Sequence, residues 1–173
     1  MATVQPVEQP RARTWSSAVF GTPTLRAALD LGLLVVRIAL AWIFFVYGSQ
    51  KLFGWFGGPG IDPTAKFMAS LGLKPGTFMA YVSGLIEFGG AIAMLLGVLT
   101  RLAALALIGD MVVAMIKVTA KQGLHPYTDQ PGYALNVALI ALALVVLLLG
   151  AGRYSLDALI DRSVAGTREA PVR

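Results

Sequence analysis

Four long apolar runs fill residues 29–51, 77–99, 101–120 and 133–150, and each carries a polar or charged group inside it. At 1.5 Å per residue, such runs reach across a hydrocarbon layer roughly 30 Å thick. The chain therefore reads as all-α: an integral membrane four-helix bundle with short interfacial helices. The inserted groups are Arg37, Glu87, Asp110, Lys117 and Asn136. A charge at the bilayer centre costs several kcal/mol unless it is paired, so these residues turn inward, where they hold the bundle together or hold a ligand.

Composition agrees. At 173 residues the chain makes one domain, 57% hydrophobic and only 13% charged. A soluble domain of this size carries roughly twice that charged fraction. The net charge of +5 arises mostly in tails and loops, and the clusters Arg11, Arg13, Arg26 and Arg162, Arg168, Arg173 suit contact with anionic membrane lipids. They do not alternate with aromatics on one basic face, so nucleic acid is not an expected partner. The absence of cysteine excludes a thiol–disulfide relay, thiolate-held iron–sulfur clusters and cysteine-ligated zinc within this chain.

Residues 1–23 read as a mobile polar tail with no apolar leader, residues 24–161 as the transmembrane domain and residues 162–173 as a second polar tail. Thr22-Pro23 supplies a cap and a first-turn proline for the first span. The stretch Phe53-Gly54-Trp55-Phe56-Gly57-Gly58-Pro59-Gly60 then breaks that helix and places aromatics at headgroup level. Asp62-Pro63 reads as N-cap and first-turn proline of a short helix over 64–71, closed by Gly72, that lies on the bilayer surface or lids the bundle. The second span is rich in small residues, among them Ala80, Ser83, Gly84, Gly89 and Gly90, which permit close helix contact inside the bundle or across a homo-oligomer. A tight turn near Thr100 joins the second and third spans. Ser155 caps a short interfacial helix over 156–161. An even number of spans puts both termini on one face. That face holds eight of the 14 Lys and Arg residues and the other face five, Arg37 aside, which predicts cytoplasmic termini.

Helix rise places Arg37 roughly 12 Å from the terminus face, Asp110 roughly 15 Å, Glu87 roughly 19 Å and Asn136 roughly 21 Å. These four form one candidate polar layer, with Arg37 expected to pair with Glu87 or Asp110. The plainer reading is helix glue, or Arg37 snorkelling to Asp30 on the same helix face. The functional reading notes that two carboxylates beside one arginine leave a charge of −1 if both ionise. That favours one of them keeping a proton, as a proton-coupled or quinone-reducing site requires.

A second polar set lies toward the opposite face: Tyr47, Gln50, Lys51, Lys117, His125 and Tyr127. His125 is the only histidine, and without a second histidine or a cysteine no metal site is expected. Lys51 and Lys117 read either as interfacial snorkelling lysines or as a positive mouth for an anionic or quinone-like ligand. Gly57-Gly58-Pro59-Gly60 is not a phosphate loop, since no strand precedes it and no Lys-Ser/Thr follows at the needed spacing.

Three stretches carry a resemblance. The first is Arg37-Ile38-Ala39-Leu40-Ala41-Trp42-Ile43-Phe44 leading into Tyr47-Gly48-Ser49-Gln50-Lys51-Leu52-Phe53-Gly54. The second runs from Ala80-Tyr81-Val82-Ser83-Gly84-Leu85-Ile86-Glu87-Phe88-Gly89-Gly90 to Leu96-Gly97-Val98-Leu99-Thr100-Arg101. The third is Gly152-Arg153-Tyr154-Ser155-Leu156-Asp157. Over residues 28–160 the chain resembles the DoxX family of small bacterial four-helix membrane proteins. Arg37, Lys51 and Glu87 match the family pattern. Tyr47 stands where that pattern often has a histidine, and a tyrosine still donates a hydrogen bond.

The resemblance implies a bacterial plasma-membrane protein and a redox-linked, quinone-interacting subunit. Such a subunit carries no covalently bound cofactor and works with soluble redox proteins that supply its electrons. Two other functions fit the same residues: a non-enzymatic scaffold that anchors soluble partners through its basic tails, and a small proton-coupled permease whose carboxylates line the path.

Overall fold

The computed structural model describes residues 23–124 and 132–168, and among them every regular element is helical. Six α-helices follow in order: α1 Pro23–Phe53, α2 Ile61–Ser70, α3 Gly76–Leu96, α4 Thr100–Ala114, α5 Ala134–Leu149 and α6 Leu156–Arg168. A π-helical turn, Met115–Thr119, and a 3-10 turn, Ala120–Gln122, prolong α4. Leu25–Phe53, Gly76–Leu96 and Thr100–Gln122 are long and apolar enough to cross a membrane, and α5 is a shorter apolar helix. Trp42, Leu85, Leu95, Leu102, Leu105, Ile116 and Leu148 point outward, as lipid-facing helices require. The protein is an all-α integral membrane bundle. The tail over residues 1–22, the end of the second tail and His125 with Tyr127 lie outside the described residues.

Around the bundle α1 lies along α3, α3 meets α4, α4 pairs with α5, and α5 closes on α1 through a smaller contact. The small residues make the closest approaches. Gly48 backs onto the Phe88 backbone, where a Cβ would lie 2.5 Å from the amide nitrogen. Gly84 receives Leu52, and Gly90 receives Leu107. These positions of the second span are therefore engaged inside the bundle.

The bundle has two unlike halves. Toward the termini it is dry: Leu40, Ala41, Phe44, Ala91, Met94, Ala104, Leu107, Ala143 and Val146 form one buried cluster. Toward the opposite face it opens into a cavity roofed by α2.

Three boundaries differ from the sequence reading. α3 stops at Leu96 because Gly97 turns left-handed (φ 68°), and the N–H groups of Gly97 and Val98 both donate to Ala93 O. α2 begins at Ile61, so Asp62 sits in its first turn rather than capping it; Gly60 (φ 77°) supplies the reversal, and its carbonyl accepts the Thr64 hydroxyl at 2.6 Å. α6 continues to Arg168, since no proline interrupts it. At its start Ser155 Oγ accepts the Ala158 N–H at 3.2 Å, which is the expected cap.

The largest departure is Arg37. Neither Glu87 nor Asp110 is its partner, and it does not reach Asp30, whose carboxylate accepts the Arg153 N–H at 3.0 Å. Arg37 is 1% exposed and donates to four carbonyls: Met94 O (2.9 Å), Leu95 O (3.2 Å), Ala151 O (2.8 Å) and Tyr154 O (2.8 Å). The reason lies in the length of α1. It runs past the ends of its neighbours, so Arg37 is level with the last turn of α3, whose final carbonyls have no donor within their own helix. A depth counted from the start of the apolar run places it too far inside.

Beside this clamp Asp157 of α6 caps α4 from outside. Its carboxylate accepts the Leu99 N–H (2.9 Å), the Thr100 N–H (3.1 Å) and the Thr100 hydroxyl (2.8 Å). Burial alone would push this carboxyl up. The bonds from Thr100 and Leu99, with the Arg37 charge nearby, outweigh that and hold it below the usual carboxylate range.

Arg37→Met should lower stability by about 3 kcal/mol, since it orphans buried carbonyls, and Arg37→Lys should recover only part; unfolding in detergent measures both. A carboxylate depressed in the folded state stabilises fully above its unfolded pKa, and that stability is lost as pH falls through the folded value. The melting temperature should therefore hold above about pH 5 and fall below about pH 4, with a smaller fall in Asp157→Asn.

Candidate functional site

A cavity of about 810 Å³ occupies the lid-side half of the bundle. Its walls are mostly apolar, with Pro63, Phe67, Met68 and Leu71 from the lid and Met79, Ile86, Val113 and Leu139 from the spans. Tyr47, Gln50, Lys51, Ser83, Glu87, Asp110, Lys117, Thr119 and Asn136 supply its polar lining. Among the described residues, members of both polar sets of the sequence line this one cavity, with Arg37 removed. Glu87, Asp110 and Asn136 of the midplane layer meet Tyr47, Gln50, Lys51 and Lys117 of the second set.

At its centre Lys51 Nζ stands 2.6 Å from Glu87 Oε2 and donates to Ser83 Oγ at 3.0 Å. Glu87 also faces the Asp110 carboxyl, whose Oδ2 is buried with no hydrogen-bond partner among the described residues. A buried carboxyl oxygen left without a partner suits a ligand that donates a hydrogen bond. Lys51 is 24% exposed and Glu87 1%, so the ammonium marks the open end and the carboxyl the closed end.

Local folding positions the rest. Gln50 ties down the turn after α1: its backbone carbonyl accepts the Gly60 N–H at 3.0 Å and its amide donates to Phe56 O at 3.3 Å. Gly58 presses so closely on Gln50 that no side chain fits there. Asn136 accepts the Thr119 hydroxyl at 3.1 Å and turns its amide nitrogen toward Met111 Sδ at 3.7 Å. Lys117 and Thr119 sit on the π-helical turn, an irregularity that re-aims side chains and recurs at functional sites.

Sequence reasoning missed Ser83 as a site residue, reading it as a small packing residue. Its spacing of four from Glu87 places both on one helix face, and that was the available signal. The lid's share of the wall was left open between a surface and a roofing role, and Phe67, Met68 and Leu71 line the cavity.

The DoxX family signature matches residues 32–120, and the chain belongs to the DoxX family. Among its relatives is the inner membrane protein YphA of Escherichia coli K12, 32% identical over 141 residues, which cover 76% of this chain and 91% of that one. A second is the inner membrane protein YqjF of the same organism, 30% identical over 135 residues, covering 77% and 95%. A third, named "Putative oxidoreductase CatD", from Bacillus subtilis 168, is 33% identical over 97 residues, covering 54% and 66%. No solved structure matches the chain.

Lys51→Met leaves the Glu87 carboxyl buried without its ammonium and should destabilise the bundle by about 2 kcal/mol. Adding Glu87→Gln should restore part of that loss, with a coupling of about 1–3 kcal/mol in a double-mutant unfolding cycle.

Proposed function

We propose that the protein is a redox-linked, quinone-interacting membrane subunit. The observation that carries this reading is the cavity: about 810 Å³, apolar over most of its wall, with two carboxyls at its closed end and the Lys51 ammonium reaching them from the open side. Pockets for ring-bearing ligands have this size and this division between apolar wall and a few polar groups. A quinone fits on chemical grounds, since its ring and isoprenoid tail are apolar and its two oxygens accept hydrogen bonds. When bound, it would supply two-electron redox chemistry at its ring. Lys51 and Tyr47 are the donors suited to its oxygens. Glu87 and Asp110 are the groups able to hold or yield a proton there. The relative CatD, named for oxidoreductase chemistry, points the same way.

In this reading soluble redox proteins supply the electrons, and the termini face the cytoplasm in a bacterial plasma membrane. The excess of Lys and Arg on the terminus face supports that orientation. The chain works alone in the bilayer or as a homo-oligomer.

The deciding experiment is native mass spectrometry of the detergent-purified protein, with lipid extraction of whatever accompanies it and titration with menaquinone. We expect a stoichiometric quinone and a loss of affinity of about tenfold or more in Glu87→Gln, since one charge-assisted contact contributes on that scale. A well-folded protein that neither retains nor binds menaquinone overturns the reading. An empty bundle recovered with a soluble protein attached favours the scaffold. Proteoliposomes with pH-dependent solute flux favour the carrier.

A further inference from the structure

We infer that the cavity exchanges water and protons with one aqueous compartment only, the one faced by α2, so that charge reaching Glu87 and Asp110 crosses part of the membrane's thickness. The inference rests on the cavity being a binding site, as proposed above, but not on which molecule it binds.

The carboxyl pair lies deep. Glu87 is eleven residues beyond Gly76, the start of α3, or roughly 16 Å along the helix, and Asp110 is twelve residues before Gln122, or roughly 18 Å. Both stand near the middle of a layer about 30 Å thick. Below them the four spans close. Leu40 and Phe44 of α1, Met94 of α3, Leu107 of α4 and Val146 of α5 are each 0% exposed. A core packed to that degree leaves no room for a water file.

The next polar group on the terminus side does not continue the path. Arg37 directs its donors at Met94, Leu95, Ala151 and Tyr154 carbonyls and turns none toward the carboxyls. On the lid side polar residues of the wall go on beyond the pair, with Tyr47, Gln50 and Lys51 toward the end of α1 and Lys117 and Thr119 on the π turn. Among the described residues, the charged groups around the carboxyl pair are Lys51 from α1 and Lys117 from the π turn; α5 offers the neutral Asn136, and α2 brings no charged side chain to the wall. The gradient of exposure from Lys51 to Glu87 runs the same way.

One-sided access has a functional consequence. A proton or a charged headgroup that enters from the lid face and stops at the carboxyl pair moves through part of the transmembrane field. Occupancy then responds to membrane potential as well as to the pH of that single compartment.

The chain contains no cysteine, so single-cysteine variants report directly. Ser83→Cys and Val118→Cys place a thiol on the cavity wall, and Arg153→Cys marks the terminus face. Each is reconstituted in vesicles of sorted orientation and treated with a membrane-impermeant methanethiosulfonate. Melting in detergent first confirms that each variant folds, and the two cavity reporters stand in for one another. We expect both cavity thiols to react at least about tenfold faster from the lid face, because only a solvated thiolate attacks the reagent and displaces its sulfinate, and Arg153→Cys to show the reverse order. Comparable rates from both faces, faster reaction from the terminus face, or reaction only with a permeant reagent would each overturn the inference. No quinone enters this assay, so failure of the ligand reading and failure of one-sided access are separate results.

Discussion

In hydrocarbon no backbone carbonyl and no charge can be left bare, and in this bundle one guanidinium answers both demands at the terminus-side end. Arg37 is buried, and its guanidinium donates to four carbonyls, with the Asp157 carboxylate near enough to add a charge interaction. Those carbonyls belong to the end of α3 and to the turn that leads into α6, so one side chain joins three parts of the chain. Gly97 is shaped to this clamp, since a side chain there would collide with the Arg37 guanidinium and with Ser155. Asp157 then carries the same junction to the start of α4. The dry half of the bundle can be apolar throughout because Arg37 and Asp157 are satisfied at its end.

Removing Arg37 from the midplane changes what the remaining polar groups can do. A cluster of arginine with two carboxylates would be close to a neutral, self-satisfied glue. Lysine with the same two carboxyls is different. Lys51 is partly solvated and shared between Glu87 and Ser83, and Asp110 keeps one oxygen without a hydrogen-bond partner among the described residues. A cluster left incomplete beside a large apolar cavity is poised for a ligand or a proton. Packing separates the two tasks: the terminus half holds the helices together, and the lid half holds space.

Much of this was legible in the residues. The lengths and hydropathy of the apolar runs were enough for three membrane-spanning helices and a shorter apolar one, and Gly54, Gly57, Gly58 and Gly60 marked the break before the short helix α2, whose surface or roofing role stayed open. Glu87, Asp110, Asn136, Tyr47, Gln50, Lys51 and Lys117 could be named as the polar groups of interest. Their meeting in one cavity could not, because spacing along a helix fixes depth and facing only relative to that helix. Arg37 shows the failure most clearly, since helix rise counts from a zero point that only the neighbouring helices define. Ser83 was hidden by its size, which suits close packing as well as hydrogen bonding. Asp157 was hidden because its partners lie on another helix.

The sequence by itself determined that this chain forms membrane-spanning helices, where those helices break, and which side chains are too costly to face lipid. These are local properties, set by hydrophobicity, glycine conformation and the cost of burying charge. Only the tertiary structure decided which charge meets which partner. Ion pairing at close range depends on the axial stagger and rotation of neighbouring helices. Those are set by contacts such as Gly48 against Phe88 and Gly90 against Leu107, where a shift of one helical turn would exchange one partner for another.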